Sequence, residues 1–207
     1  IPEVFNLADK YQLPAIILSD LLISDETSTI NPELLNMHPV IDRGELITEA
    51  GDEVDNYERY KFTDSGISPR ALPGIPGYEH VVASDEHMPN GVLISDEYTH
   101  PHKRRAMMEK RQRKMGGLLE DLPPPVIVGD SNAEVTLVGW GSTAGVIQEA
   151  IEQLATAGVV ANHLHFKWIV PFHADEAVEL LSSCKRTILI ENNYSGLFHR
   201  YMRGETG

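Results

Sequence analysis

From Glu134 to the end of the chain, short β-rich runs alternate with helical patterns, and few folds accept that order. The runs are EVTLVGW at 134–140, VANHLHF at 160–166 and RTILIEN at 186–192. Between and after them lie STAGVIQEAIEQLATAG at 142–158, ADEAVELLSS at 174–183 and SGLFHRYM at 195–202. In the first helical pattern Ile147, Ala150, Ile151 and Leu154 keep the i, i+3, i+4, i+7 spacing of a single buried face. Strands that alternate with helices join through right-handed crossovers, so residues 124–207 are expected to form a parallel βαβ sheet.

The preceding two thirds are less regular. Residues 1–12 read as an amphipathic helix with Val4, Leu7, Ala8 and Tyr11 on one side. After Pro14, the run AIILSD at 15–20 has the length and apolar character of a buried parallel strand, so helix and run together suggest an α/β unit without its beginning. From about Asn31 to Asn90 periodicity fades and Pro and Gly punctuate heavily, as in HPVIDRG, GISPRALPGIPG and MPNG. So long an irregular stretch is usually functional or lies at an interface. The segment SDEYTHPHKRRAMMEKRQRKM at 95–115 predicts a helix, led by Asp96 and Glu97 as the helix dipole favours and ended by Gly116-Gly117. LPPP at 122–125 then acts as a stiff linker. The expected organisation is a first domain over 1–94, a basic helix and linker over 95–123, and a second domain over 124–207.

A chain of 207 residues can bury roughly 70% of its unfolded surface, enough for a real core. No apolar run approaches the roughly 18 residues of a membrane span. With 17 basic against 31 acidic residues the formal charge is −14, which disfavours nucleic acid and anionic membranes as partners. One cysteine, Cys184, excludes an internal disulfide and a local Cys-rich cluster, and points to a reducing, cytoplasmic setting. The opening IPEVFNLADKYQ has neither an initiator methionine nor a secretion signal, and LFHRYMRGETG stops just after a helical pattern. Both ends read as cuts through a longer polypeptide.

Several motifs admit two readings. GWGSTAG joins a strand to a helix, where backbone amides and the helix dipole could hold a phosphate or carboxylate on Gly141, Ser142 and Thr143, with Ser142 or Thr143 capping the helix. Its glycines, Gly139, Gly141 and Gly145, depart from the dinucleotide spacing, so a tight turn is the alternative. His100 and His102, and His163 and His165, have the i, i+2 spacing that allows two metal ligands, but neither pair has a third donor nearby in the sequence. No metal site is assigned. Asp85-Glu86-His87 is either an acid–base group or a polar loop end. Cys184, before Lys185 and Arg186, has no base beside it and reads as a structural thiol. The helix residues 103–114 carry seven of the 17 cations, either to dock an acidic partner such as a small electron carrier or to pair with the protein's own acids. In GISPRALPG, Gly66, Pro69, Pro73 and Gly74 stiffen a loop that holds Arg70, a planar fork suited to a carboxylate; alternatively Arg70 pins the loop to Asp64 or Glu58.

RYKFTDSGISPRALPG, SDEH with a glycine at 91, RRAMMEKRQRK, VGWGSTAGVIQEA and ILIENNYSG, in that order, resemble the alpha subunit of 2-oxoacid:ferredoxin oxidoreductases, in particular the 2-oxoglutarate type. The resemblance spans nearly the whole chain. It implies an α/β fold, the end of a thiamine-pyrimidine-binding-type domain followed by a transketolase C-terminal-like domain. It implies an enzyme that uses thiamine diphosphate, Mg, an iron–sulfur cluster and coenzyme A, with a beta subunit and ferredoxin as partners. The family's YPITP-type segment, thiamine-ring glutamate and RGGPSTG-type stretch are not in this sequence, and the diphosphate and cluster ligands belong to another subunit, so this segment alone is expected to bind no cofactor and to be inactive without its partner. Asp64, Ser68 and Arg70 are the residues the resemblance places near the substrate entrance or a subunit contact. The competing expectation is a stand-alone module that binds a nucleotide or anionic metabolite at Gly141, Ser142 and Thr143.

Overall fold

The computed structural model describes residues 1–51, 56–82, 84–94 and 100–207. Along the chain lie α1 (Pro2–Tyr11), α2 (Leu21–Asp25), a 3₁₀ turn (Pro32–Leu34), β1 (Leu46–Ile47), β2 (Arg70–Ala71), α3 (Pro101–Asp121) and β3 (Ile127–Val128). They are followed by β4 (Val135–Trp140), α4 (Thr143–Thr156), β5 (Ala161–Phe166), α5 (Ala174–Ser183), β6 (Thr187–Leu189) and α6 (Leu197–Thr206). Two compact units result: residues 1–16 with 32–120, and residues 17–31 with 121–207.

The second unit is the α/β sheet that the alternating pattern predicts. Its strand order is β3-β5-β4-β6, with β4 parallel to both β5 and β6. Alternation of side chains divides β4 between two faces. Val138 joins Leu164, Phe166, Phe172, Ala177, Phe198 and Met202 in a core shared by β5, α5 and α6. On the opposite face Gly139 lies beneath α4, where a Cβ would sit 2.3 Å from Ile147 Cδ1. A side chain at 139 would push off the helix whose buried face Ile147 anchors. The β3 strand, antiparallel to β5, was hidden from the sequence reading because two residues after a polyproline stretch carry no period.

The first unit is built differently. Among the described residues its sheet is the parallel pair β1 and β2, and much of its interior is polar: Ser68, His87, Lys110 and Lys114 are buried beside Tyr11, Ala71 and Met107. The Tyr11 hydroxyl donates to the Gly117 carbonyl at 2.7 Å. Gln12, in the left-handed conformation that ends α1, accepts Lys114 Nζ on its carbonyl at 3.3 Å and Arg59 on its side chain at 2.9 Å. Gly66, with φ 79°, lies so close to α3 that a Cβ would meet the Lys110 carbonyl at 2.3 Å.

Two expectations need correction. Residues 15–20 form no strand. Ile16 is 83% exposed and Leu18 60% exposed, because a buried strand needs ladder partners and covering layers, and nothing among the described residues pairs with this run. Asp20 instead caps α2, accepting the Ile23 amide at 3.0 Å. The basic helix does not stop at Gly116-Gly117 but runs to Asp121, where prolines 123–125 prevent continuation. Gly117 is where the Tyr11 ring packs, 3.4 Å from the position of an added Cβ. The proposed start of that helix at 95–99, with Asp96 and Glu97, lies outside the described residues. In the two compact units, α3 packs within the first through Met107, Lys110 and Lys114, and residues 17–31 go with the second.

Candidate functional site

From β4 the chain crosses through α4 to β5 on one flank, and from β5 it crosses back through α5 to β6 on the other flank of β4. The carboxyl ends of β4 and β6 therefore form the point where strand order reverses, which in open α/β sheets is where ligands bind. A cleft of about 350 Å³ opens there, lined among others by Trp140, Gly141, Ser142, Thr143, Asn192 and Asn193. Residues 18–20 and Ile23 form its remaining wall.

Capping in this cleft is done by side chains remote in sequence. Ser142 occupies the residue before α4 but makes no side-chain cap; its hydroxyl donates to the Asp20 carboxylate. Thr143 turns back onto the strand, its hydroxyl donating to the Trp140 carbonyl at 2.8 Å and accepting the Trp140 amide at 3.0 Å. The expected cap of α4 by Ser142 or Thr143 is thus not made, because both hydroxyls are engaged elsewhere. Hydrogen bonds from the Ile23 amide and the Ser142 hydroxyl hold Asp20 below the ordinary carboxylate pKa. An anionic side chain already sits on the turn, which weighs against Gly141, Ser142 and Thr143 as a ready phosphate cradle.

Glu191 caps α6. Its two oxygens accept the Phe198 and His199 amides, each at 2.9 Å, and Asn193 accepts the Leu197 amide at 2.9 Å. Burial raises the Glu191 pKa, but the amides of His199 and Phe198, with Asn193 and Trp140, outweigh it and hold the carboxyl below its ordinary value. Asp20 and Glu191 were missed as site residues by the sequence reading. The first had a signal, an aspartate before a short apolar helix; the second caps amides seven and eight residues ahead, which no local rule anticipates.

In the first unit the GISPR loop is internally braced. Ser68 is 1% exposed, and its hydroxyl donates to the Lys61 carbonyl at 2.8 Å. It props the loop from inside. Arg70 does not pin the loop to Asp64 or Glu58; it reaches Asp9 of α1 at 3.4 Å, a carboxylate that Arg43 also holds at 2.9 Å. The loop lies against α1 because β2 pairs with β1, which brings residue 70 opposite Leu46. Asp64 is exposed at the loop's approach.

The remaining pairs do not assemble into chemistry. In Asp85-Glu86-His87, Glu86 is ion-paired to Arg111 at 2.9 Å while His87 packs on the Tyr60 ring, so acid and imidazole serve different partners. The His163 and His165 rings lie 5.2 Å apart on β5; burial, and for His163 also the neighbouring His165, lowers both pKa values. Among the described residues no group of three or more His, Cys, Asp or Glu could hold a metal ion. Cys184 ends α5, its thiol donating to the Leu180 carbonyl at 3.2 Å. No helix among the described residues is long and apolar enough to cross a membrane.

Comparison with known proteins supplies the frame for these sites. Residues 133–205 match the family described as pyruvate:ferredoxin oxidoreductase core domain II. The chain is 33% identical over 208 aligned residues to the alpha subunit of 2-oxoacid:ferredoxin oxidoreductase 2 of Aeropyrum pernix, covering 99% of this chain and 31% of that protein. It is 30% identical to the 2-oxoglutarate oxidoreductase subunit KorA of Mycobacterium tuberculosis, over 98% of this chain and 30% of that one. Among solved structures, a 2-oxoglutarate:ferredoxin oxidoreductase from Magnetococcus marinus, with 2-oxoglutarate, coenzyme A and succinyl-CoA bound, superposes with a TM-score of 0.79 at 30% identity, covering 98% of this chain and 34% of that one. The chain thus spans about a third of the length of these relatives. The resemblance to 2-oxoacid:ferredoxin oxidoreductase alpha subunits and the α/β fold, with a transketolase C-terminal-like second unit, are both borne out.

Proposed function

We propose that this chain is a catalytic-subunit segment of a 2-oxoacid:ferredoxin oxidoreductase, the C-terminal part of an alpha subunit that acts on 2-oxoglutarate. The observation that carries this reading is continuity: similarity at 30% identity runs through 98% of the chain onto one 2-oxoglutarate-oxidising structure, rather than through a single domain. The whole enzyme decarboxylates the 2-oxoacid oxidatively, transfers the acyl group to coenzyme A and passes electrons to ferredoxin. It works in the cytoplasm with a beta subunit. Residues 1–94 then correspond to the end of a pyrimidine-binding-type domain.

The donors in this segment do not fit the enzyme's inorganic groups. A cluster of iron and sulfide needs several thiolates, and Cys184 is the one cysteine. The described residues likewise offer no acidic set for the Mg that accompanies thiamine diphosphate. Those groups are assigned to the rest of the enzyme, and this segment contributes walls. The GISPR loop, fixed by Ser68 inside and by Arg70 on Asp9, presents Asp64 and Arg70 toward a substrate entrance or subunit contact. The cleft at Trp140, Ser142 and Asn193 is a second such surface, closed on one side by Asp20.

The test is reconstitution. A full-length alpha subunit with its beta subunit should show 2-oxoglutarate-dependent dye reduction, and the 207-residue chain alone should show none. Turnover by the isolated chain would sink the proposal. Arg70→Ala in the assembled enzyme should raise the KM for 2-oxoglutarate or weaken assembly; if both stay unchanged, the GISPR loop has only an internal role.

A further inference from the structure

Tyr194, in the second unit, is fully exposed, yet the loop that carries it is held firmly. Glu191 accepts the Phe198 and His199 amides, and Asn193 accepts the Leu197 amide while donating to Glu191. Gly196, with φ 63°, turns the chain into α6. Tyrosine normally buries its ring and pairs its hydroxyl, and here the fold uses neither among the described residues.

The surface continues along α6, whose Phe198 and Met202 face the core. Leu197 and Arg200 lie one turn apart on an exposed face, and Arg203 is exposed in the next turn. No acidic residue stands three or four positions from either arginine, so the helix offers neither guanidinium a carboxylate. Neither takes part in an ion pair among the described residues, although the chain is acidic by fourteen charges. Arg203, in the last turn, suits the helix dipole; Arg200 has no such use. Leu197 also lines the cleft at the ends of β4 and β6, which has apolar walls at Leu18, Ile23 and Trp140. A bare aromatic, an apolar cleft and an arginine rim are the materials of protein interfaces.

We infer that Tyr194, Leu197 and Arg200, with the cleft beside them, form the surface on which the beta subunit seats an apolar projection ringed by carboxylates. The inference rests on the function proposed above and assigns the cleft to subunit contact. Charge selects against a second copy of this chain: in a two-fold contact the patch meets itself, so Arg200 and Arg203 would face their own counterparts. A transient electron carrier needs only a small, charge-led contact, whereas an apolar cleft beside a rigid aromatic suits a partner that stays bound. Because the loop is braced before binding, Tyr194 loses little freedom on docking.

The experiment uses full-length alpha and beta subunits, with their affinity read from dissociation of the assembled enzyme on dilution. Tyr194→Ala should raise the Kd about tenfold or more, while dye reduction at saturating beta subunit stays within about twofold of wild type. Tyr194→Phe, which keeps the ring, should stay within about threefold. Arg200→Glu should raise the Kd severalfold at low salt and less at high salt, and this change at an exposed side chain serves also if Tyr194→Ala impairs folding. Unchanged affinity for the beta subunit when Tyr194→Ala and Arg200→Glu are combined overturns the contact. So does a result in which only self-association of the alpha subunit, or its own thermal midpoint, falls: the patch would then belong to a second copy or to the remainder of the alpha subunit. Wild-type subunits that assemble but reduce no dye on adding 2-oxoglutarate overturn the enzyme assignment and leave the contact standing.

Discussion

The two units of this chain solve the same problem with different materials. Residues 121–207 bury an apolar core, Val138, Leu164, Phe166, Phe172 and Phe198, between a sheet and its helices. Among its described residues the first unit has two strands of two residues each and an interior in which lysine, histidine and serine stand beside Met107 and Tyr11. Its shape is fixed by hydrogen bonds between residues far apart in sequence, such as Tyr11 to Gly117 and Gln12 to Ser68. A core of the first kind tolerates many sequences of the right period. One of the second kind depends on particular donors meeting particular carbonyls, and is more sensitive to single polar changes.

The sharpest way to break that contrast is to empty the apolar core. Leu164→Ala, at a side chain with no exposed surface, should destabilise the chain by about 3 kcal/mol in urea unfolding. A loss under about 1 kcal/mol would mean the sheet core is looser than it looks. Next in size is Gly66→Ala in the first unit. The left-handed φ of 79° and the Lys110 carbonyl, 2.3 Å from the new Cβ, should together cost about 2 kcal/mol, seen as a lower midpoint in thermal unfolding.

Lys110 tests the polar interior from the other direction. Burial first, then the positive charges of Lys114, Arg59, Arg111 and Arg113, push its pKa from 10.5 down to about 8. The unfolded chain therefore holds this proton more tightly than the folded one, so the penalty is full below about pH 8 and disappears as pH rises through 10.5. Lys110→Met keeps the aliphatic packing and should gain about 1 kcal/mol at neutral pH, an advantage that shrinks when unfolding is repeated at about pH 9.5. A gain independent of pH would assign the effect to packing instead. The smallest effect is expected at Gly116. It lies inside α3 with nothing within 4 Å of an added Cβ, so Gly116→Ala should stabilise by roughly 0.5–1 kcal/mol in the same assay. A destabilising result would mean that the helix does not pass through these glycines in solution.

Legibility followed the same divide. The helix over 174–183 and the strands beginning near 135, 161 and 187 were readable because a buried face repeats at the period of its own element. The run 15–20 misled for the same reason: its residues have the composition of a central strand, yet a strand exists only where another backbone supplies its ladder, and no described residue does. Gly116-Gly117 misled because glycine marks both helix ends and places of close approach; Tyr11, more than a hundred positions away, decides which.

The sequence by itself determined the α/β class, the order of elements after residue 134, the unlikeness to a nucleic-acid binder and the family that its ordered motifs resemble. Only the tertiary structure decided that Arg70 answers to Asp9, that Ser68 faces inward, that Asp20 sits on the turn before α4 and that Glu191 caps α6. Periodicity and composition act between neighbours in the chain, so they can be read along it. A hydrogen bond or ion pair between distant residues is chosen by the packing of whole elements, and its partner is not written in the local sequence.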